Sequence, residues 1–96
     1  MASLKAADIR SSLRAKGFRE KPKGDHHWLV YHDQGRVTPI RTKVSRGISV
    51  YGDDLLKKMQ KQLHLERVSD LLDLVNCPMD EEKYRSILVR QGELSD

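Results

Sequence analysis

The sequence predicts an α+β protein: an α-β-β-β-α two-layer sandwich with a three-stranded antiparallel sheet, followed by a C-terminal helical extension. Three observations predict this class. Apolar residues recur with helical spacing near the start of the chain and again after residue 53, whereas residues 26–32 have the period of a strand. Glycine and proline turn signals separate the strand segments. The length of 96 residues fits one small domain, in which helices cover one face of a sheet.

The first helix is predicted from Ser3, as its N-cap, to about Lys16. A single apolar stripe with the spacing i, i+3, i+7 is formed by Ala6, Ile9 and Leu13. Gly17 suits the left-handed position that ends a helix.

Three strands follow this helix. Residues 18–20 form a short strand, and residues 21–25 a turn that contains Pro22 and Gly24. Residues 26–32 form the second strand, and Asp33-Gln34-Gly35 is a hairpin signal. The third strand covers residues 36–40.

A basic loop over residues 41–50 is expected before the second helix. Pro39 cannot donate a hydrogen bond to a neighbouring strand, so it marks an edge or a strand end. Gly52 or Asp53 caps the helix. A core-facing stripe along it consists of Leu55, Leu56, Met59 and Leu63.

Two further amphipathic helices are predicted after residue 65, separated by Pro78 and ended by Gly92. Their apolar stripes are Val68, Leu71, Leu72 and Val75 in the first helix, and Tyr84, Ile87 and Leu88 in the second. Asp80, Glu81 and Glu82 suit the N-terminus of the second helix. The chain is therefore divided into a body, residues 1–65, and a two-helix extension, residues 66–96, that packs on the body or on a partner.

Charge is distributed unevenly between these two parts. The body has 14 Lys and Arg against 6 Asp and Glu, a balance of +8, and the extension has 4 against 8, a balance of −4. A basic body fits a polyanionic partner such as nucleic acid. We expect no membrane span and no signal peptide. Because Cys77 is the single cysteine, we expect no disulfide, a buried thiol and a cytoplasmic location.

A histidine pair, His26 and His27, begins the second strand directly after the basic turn. Histidine exchanges a proton near neutral pH, and such a group beside clustered cations suits chemistry on a phosphodiester. Alternation places His26, Trp28, Val30 and His32 on one face and His27, Leu29 and Tyr31 on the other. Both faces mix apolar and titratable residues, so the pattern leaves the buried face open. Trp28 and Tyr31 can stack on bases, and at least one of them is expected in the core.

The element order and the string Gly24-Asp25-His26-His27-Trp28-Leu29-Val30-Tyr31-His32 resemble the HicA family of toxin mRNA interferases, over about residues 4–65. The resemblance implies a double-stranded-RNA-binding-like fold, mRNA cleavage in a toxin–antitoxin system, and an antitoxin partner. It also implies that His27 is catalytic. In this chain Asp25 replaces the family's serine, His64 stands where a glycine often ends the last helix, and the chain continues beyond the family's compact body.

RNA carries its own nucleophile, the 2′-hydroxyl, so a histidine acid/base suffices without a metal or cofactor, and none is expected. A zinc site is not favoured, because alternate strand positions diverge. The candidates for nucleic-acid binding are Lys21, Lys23, Gly24, His26, Arg41, Lys43 and Arg46. The alternative function is a non-catalytic RNA-binding or protein-interaction module of the same fold. Association of copies through the C-terminal helices is a further expectation.

Overall fold

A computed structural model describes residues 3–76 and 78–94 and confirms the α+β class, with a three-stranded antiparallel sheet covered on one face by helices. The elements in chain order are β1 (Leu4–Lys5), α1 (Ala6–Ala15), β2 (Phe18–Lys23), β3 (His26–Asp33), β4 (Arg36–Ser45), β5 (Val50–Tyr51), α2 (Asp53–Gln62), α3 (Val68–Asn76) and α4 (Glu81–Arg90). Among the described residues, no helix is both long and apolar enough to cross a bilayer. The thiol expected to be buried, Cys77, lies outside the described residues.

The first helix starts later than the sequence predicts. Leu4 pairs with Tyr51 in a short two-stranded ribbon, β1 with β5, and both side chains are buried. The N-cap of α1 is therefore Lys5, without a side-chain hydrogen bond, and the prediction of Ser3 is wrong. Burial of the two apolar side chains outweighs the cap that Ser3 offers, which is worth about 1 kcal/mol. Gly17 does follow the helix with a left-handed φ of +98°.

The sheet has the order β2-β3-β4. Strand β2 continues past residue 20, through Pro22, to Lys23, and a tight turn at Gly24 (φ +62°) leads into β3. The β3–β4 hairpin has positive φ at both Gln34 (+53°) and Gly35 (+86°). This is the signature of a type I′ turn, whose twist matches that of the flanking strands.

Strand β4 is longer than predicted and takes in the first half of the expected basic loop, residues 41–45. Its buried residues alternate with exposed cations: Ile40, Thr42 and Val44 face the helices, and Arg41 and Lys43 face away. The loop prediction is wrong there because an edge strand with one solvated face has many polar residues in its sequence, as a loop does.

After α2, His64 adopts a left-handed φ of +61°, at the position where the family resemblance implies glycine.

A bulge interrupts the β3–β4 ladder between Val30 and His32. The Thr38 hydroxyl replaces backbone hydrogen bonds that are missing at the bulge. It donates to Tyr31 O at 2.7 Å and accepts from Ile40 N at 3.2 Å. Pro39 lies beside this bulge in β4, which is an edge strand of the sheet. Its missing N–H is therefore tolerated.

One core connects the sheet, the helices of the body and the C-terminal helices. Leu29 and Tyr31 are fully buried, which identifies the His27 face of β3 as the face covered by helices. The ring of Tyr84 from α4 packs edge-on against Tyr31, with centroids 5.4 Å apart, and its hydroxyl donates to Leu63 O at 2.8 Å. The core residues contributed by the extension are Leu71, Leu74, Val75, Met79, Tyr84, Ile87 and Leu88.

Polar contacts also join α3 to α1. Ser12 donates to Val75 O at 2.6 Å, and the buried Lys16 ammonium donates to Leu74 O. Helix α4 begins as the sequence predicts, since the Asp80 side chain accepts a hydrogen bond from Lys83 N at 2.8 Å. The apolar stripes of α3 and α4 are thus covered within the chain.

Candidate active site

The residues that the sequence proposes as a site are divided between the two faces of the sheet. His27 lies on the helix-covered face, in the cross-strand row Pro22–His27–Val44. On the opposite, open face lie Lys21, Lys23, His26, Arg41 and Lys43. Gly24 forms the turn between β2 and β3, and Arg46 follows β4, with its backbone N–H donating to Asp25 O at 2.9 Å. The fold therefore does not gather these residues into one site.

His27 is held against a carboxylate. Its side chain is 18% exposed, and its Nδ1 atom lies 3.0 Å from Glu20 Oε2. Nδ1 is completely buried and has no well-aligned hydrogen bond among the described residues. The contact with Glu20 is thus an electrostatic one, with the oxygen off the line along which a ring N–H donates.

Glu20 is in turn fixed by two arginines of α1. Arg10 donates to both carboxylate oxygens, with Nε 3.2 Å from Oε1 and a terminal nitrogen 2.6 Å from Oε2. Arg14 lies 3.6 Å from Oε1. The hydrogen bonds from Arg10, followed by the charges of Arg10, Arg14 and His27, lower the pKa of Glu20 below its ordinary value against the opposing effect of burial. Glu20 is therefore an anion at neutral pH.

A cavity of about 520 Å³ opens beside the His27 ring. It lies between the start of α1, the end of β4 and the segment that leads to β5, and three cations line it: Lys5, Arg10 and Arg46. The N-terminus of α1, with its partial positive charge, adjoins the cavity. Arg10 is paired with Glu20. The histidine, the other two cations and the helix N-terminus form an environment that favours a phosphate group.

Sequence reasoning missed Glu20, Arg10 and Lys5 as members of this site. Glu20 reaches His27 because β2 continues past residue 20 and pairs with β3 so that Glu20 opposes Leu29. The position of Glu20 follows from its spacing, because side chains two residues apart in a strand lie on the same face. Phe18 is buried against the helices, so Glu20 lies on the helix-covered face as well. Nothing in the pattern of α1 indicated that Arg10 would reach across to the sheet.

The described residues bring no three His, Cys, Asp or Glu side chains together as a candidate metal site. His26 and His27, adjacent in the chain, face opposite sides of the sheet. Comparison of the chain with protein-family models, curated proteins and solved structures gives no match. The resemblance to the HicA family therefore stays a prediction, and function must be argued from the residues themselves.

Proposed function

We propose that the chain is a toxin-type endoribonuclease, an mRNA interferase that cleaves RNA without a metal, with His27 as the proton-transfer residue. The observation that carries this proposal is the position of His27, which contacts the Glu20 carboxylate through Nδ1 and lines a cavity that holds three cations. A group that exchanges a proton, held beside cations that attract a phosphate, is the combination that phosphodiester cleavage requires.

The chemistry requires little beyond these groups. In the proposed reaction the negative charge of Glu20 attracts the ring proton to Nδ1, although the two atoms are not aligned as a hydrogen bond, and the other ring nitrogen, Nε2, acts as the base. His27 takes the proton of a ribose 2′-hydroxyl, the 2′-oxygen bonds to phosphorus, and the bond from phosphorus to the 5′-oxygen breaks. The leaving 5′-oxygen takes a proton from water. The products are a 2′,3′-cyclic phosphate and a 5′-hydroxyl.

Cations stabilise the charge that develops on the phosphate oxygens in such a step. Arg10 is already held by Glu20, so Lys5 and Arg46 are assigned to the phosphate. One positioned proton-transfer group gives about 10²–10⁴-fold acceleration, which suits a slow intracellular nuclease. The substrate class places the activity in the cytoplasm, and a protein that covers the His27 cavity would serve as the antitoxin.

The test is cleavage of a long RNA by the purified protein in the presence of a chelator. We expect His27→Ala and His27→Gln to lower the cleavage rate about 10²-fold or more, with melting temperatures close to that of the unsubstituted protein. His26→Ala is the matched control, because His26 is the neighbouring histidine on the other face, and it should have a much smaller effect. Equal losses in the His26 and His27 variants would refute the assignment, as would RNA that stays intact with the unsubstituted protein.

The alternative, a non-catalytic RNA-binding module, is favoured by a separate observation: most of the candidate binding residues lie on the open face, away from His27. In that case RNA remains intact but migrates as a complex in a gel, and His27→Ala changes nothing.

A further inference from the structure

The open face of the sheet carries one tryptophan surrounded by cations. Strand pairing places Lys21, Trp28 and Lys43 side by side across the three strands. The next row consists of Arg19, Val30 and Arg41. This face, called the Trp28 face below, thus presents five cations around a single aromatic ring: Arg19, Lys21, Lys23, Arg41 and Lys43.

No carboxylate of the described strands lies on the Trp28 face. Glu20 is on the helix-covered face, and Asp33, at the end of β3, is held by Arg85 at 2.7 Å. Cations without intervening acids produce a positive potential that attracts a polyanion. The cationic side chains of this face are exposed, so their charges are available to a partner.

The ring of Trp28 and the cations over it can together bind a base and its phosphates. Arg41 Cζ lies 5.3 Å and Lys43 Nζ 5.6 Å from the ring centroid, so both cations rest over the ring. These same cations can turn to the phosphates of a bound strand, and a base then takes the place above the ring. A shallow recess of about 510 Å³ beside the ring, bordered by Lys21, His32 and Arg41, leaves room for it.

We propose that the Trp28 face binds single-stranded RNA, with a base stacked on Trp28 and backbone phosphates bound by Lys21, Arg41 and Lys43. The choice of RNA among polyanions rests on the proposed function. Only a single strand fits this chemistry, because the bases of a duplex are stacked on one another and cannot reach a ring on a flat sheet, whereas unpaired bases stack on aromatic side chains.

The Trp28 face and the His27 cavity meet at one end of the sheet. The last row of the face is Lys23, His26 and Ser45, and the residues next to the latter two, His27 and Arg46, both line the cavity. The backbone N–H of Arg46 donates to Asp25 O, so the end of β4 and the β2–β3 turn lie together between the face and the cavity. In this proposal, a strand that leaves Trp28 past His26 crosses into the cavity there. The Trp28 face thereby holds the RNA, and the cavity receives the phosphate to be cleaved.

Trp28 is the only tryptophan in the chain, so its fluorescence reports on this face alone. The probe is a short 2′-O-methylated oligouridine, which lacks a free 2′-hydroxyl and so cannot be cleaved by the proposed route. We expect the probe to quench the fluorescence of Trp28 as it binds, and a 2′-O-methylated duplex of equal length to bind more weakly without quenching.

The variants isolate the contribution of the face. Trp28→Ala should weaken binding of a labelled probe about 10-fold, the value of one base–aromatic stack, and Trp28→Phe should restore part of it. The double variant Lys21→Ala/Lys43→Ala should weaken binding more than Lys57→Ala/Lys61→Ala, which removes two exposed charges from α2 instead. Melting curves of each variant establish that it is folded.

Binding without quenching, equal affinity for the duplex, or equal losses in the two double variants would overturn the assignment of this face. Because the probe cannot be cleaved, this result is separate from the nuclease test. If the protein cleaves RNA but fails these binding tests, only the assignment of the Trp28 face is refuted. If it passes them but leaves RNA intact, only the proposed nuclease activity is refuted.

Discussion

The hydroxyl of Tyr31 donates a hydrogen bond to Oε2 of Glu81 at 3.4 Å, which joins the middle strand of the sheet to the first turn of α4. Burial, together with the charges of Glu81 and Asp33, raises the pKa of Tyr31 to about 12. The hydroxyl therefore remains a donor at any physiological pH. This contact and the shared core make the C-terminal helices part of the structure that holds the sheet.

A chain that ends at Leu65 should consequently fail to fold. It loses the seven buried core residues that the structure describes in the extension. A large buried side chain is worth about 1.5–3 kcal/mol, so the total loss is comparable to the whole stability of a domain, about 5–15 kcal/mol. Circular dichroism and thermal melting measure the outcome. The single substitution Leu74→Ala, at a fully buried site, should cost about 2–5 kcal/mol. A truncated chain that melts cooperatively and binds RNA more tightly at low salt would show instead that the acidic extension masks the basic body.

Gly17 should not tolerate a side chain. A Cβ there would lie 2.5 Å from Glu81 Oε2 and 2.9 Å from Tyr31 Cε1, and its φ of +98° is strained for any L-residue. We expect Gly17→Ala to lower the free energy of unfolding by about 1–3 kcal/mol, measured by urea unfolding. Gly47→Ala is the control, because a Cβ at Gly47 meets nothing within 4 Å. Equal effects of the two substitutions would contradict this account.

Glu20 should contribute to stability in a pH-dependent way. The hydrogen bonds from Arg10 hold its pKa below the ordinary value of 4.5, so the folded state binds this proton less readily than the unfolded chain. The stabilisation is therefore complete above pH 4.5 and is lost as the pH falls through the folded-state pKa. Glu20→Gln should lower stability at neutral pH and flatten the acid limb of a stability-versus-pH curve, whereas Glu66→Gln, at an exposed position, should leave that limb unchanged. An acid limb that persists in Glu20→Gln would assign it to other carboxylates.

Salt dependence should identify the cations that contact phosphates. Each cation that contacts a phosphate of a single strand adds about 0.7 to the slope of log affinity against log salt concentration. Lys43→Ala and Arg46→Ala should each reduce the slope by about that amount, and Lys61→Ala should not. Of the three, Lys43→Ala alone should change the fluorescence of free Trp28, since Lys43 lies over its ring. An affinity that does not vary with salt would exclude RNA as the partner.

Periodicity was sufficient to place the helices and the middle strand, because buried stripes such as Leu56 and Met59 repeat at a fixed interval. It could not set the pairing of strands. The sequence predicts that β2 ends at residue 20, which does not align Glu20 with Leu29 or bring it near His27. The buried face of β3 depends on helices that pack there only in three dimensions. The sequence predicts a loop at Arg41 and Lys43, which lie in β4, because exposed charges conceal the alternation of an edge strand.

Each outer strand of the sheet contains a proline: Pro22 in β2 and Pro39 in β4. Neither can supply an N–H to a strand arriving from outside, and the exposed lysines and arginines along both strands repel a second copy of the same edge. The sheet is therefore closed to growth at both sides. We expect concentrated protein to resist fibril formation, and we expect any protein partner to bind through side chains on a face of the molecule and not by adding a strand.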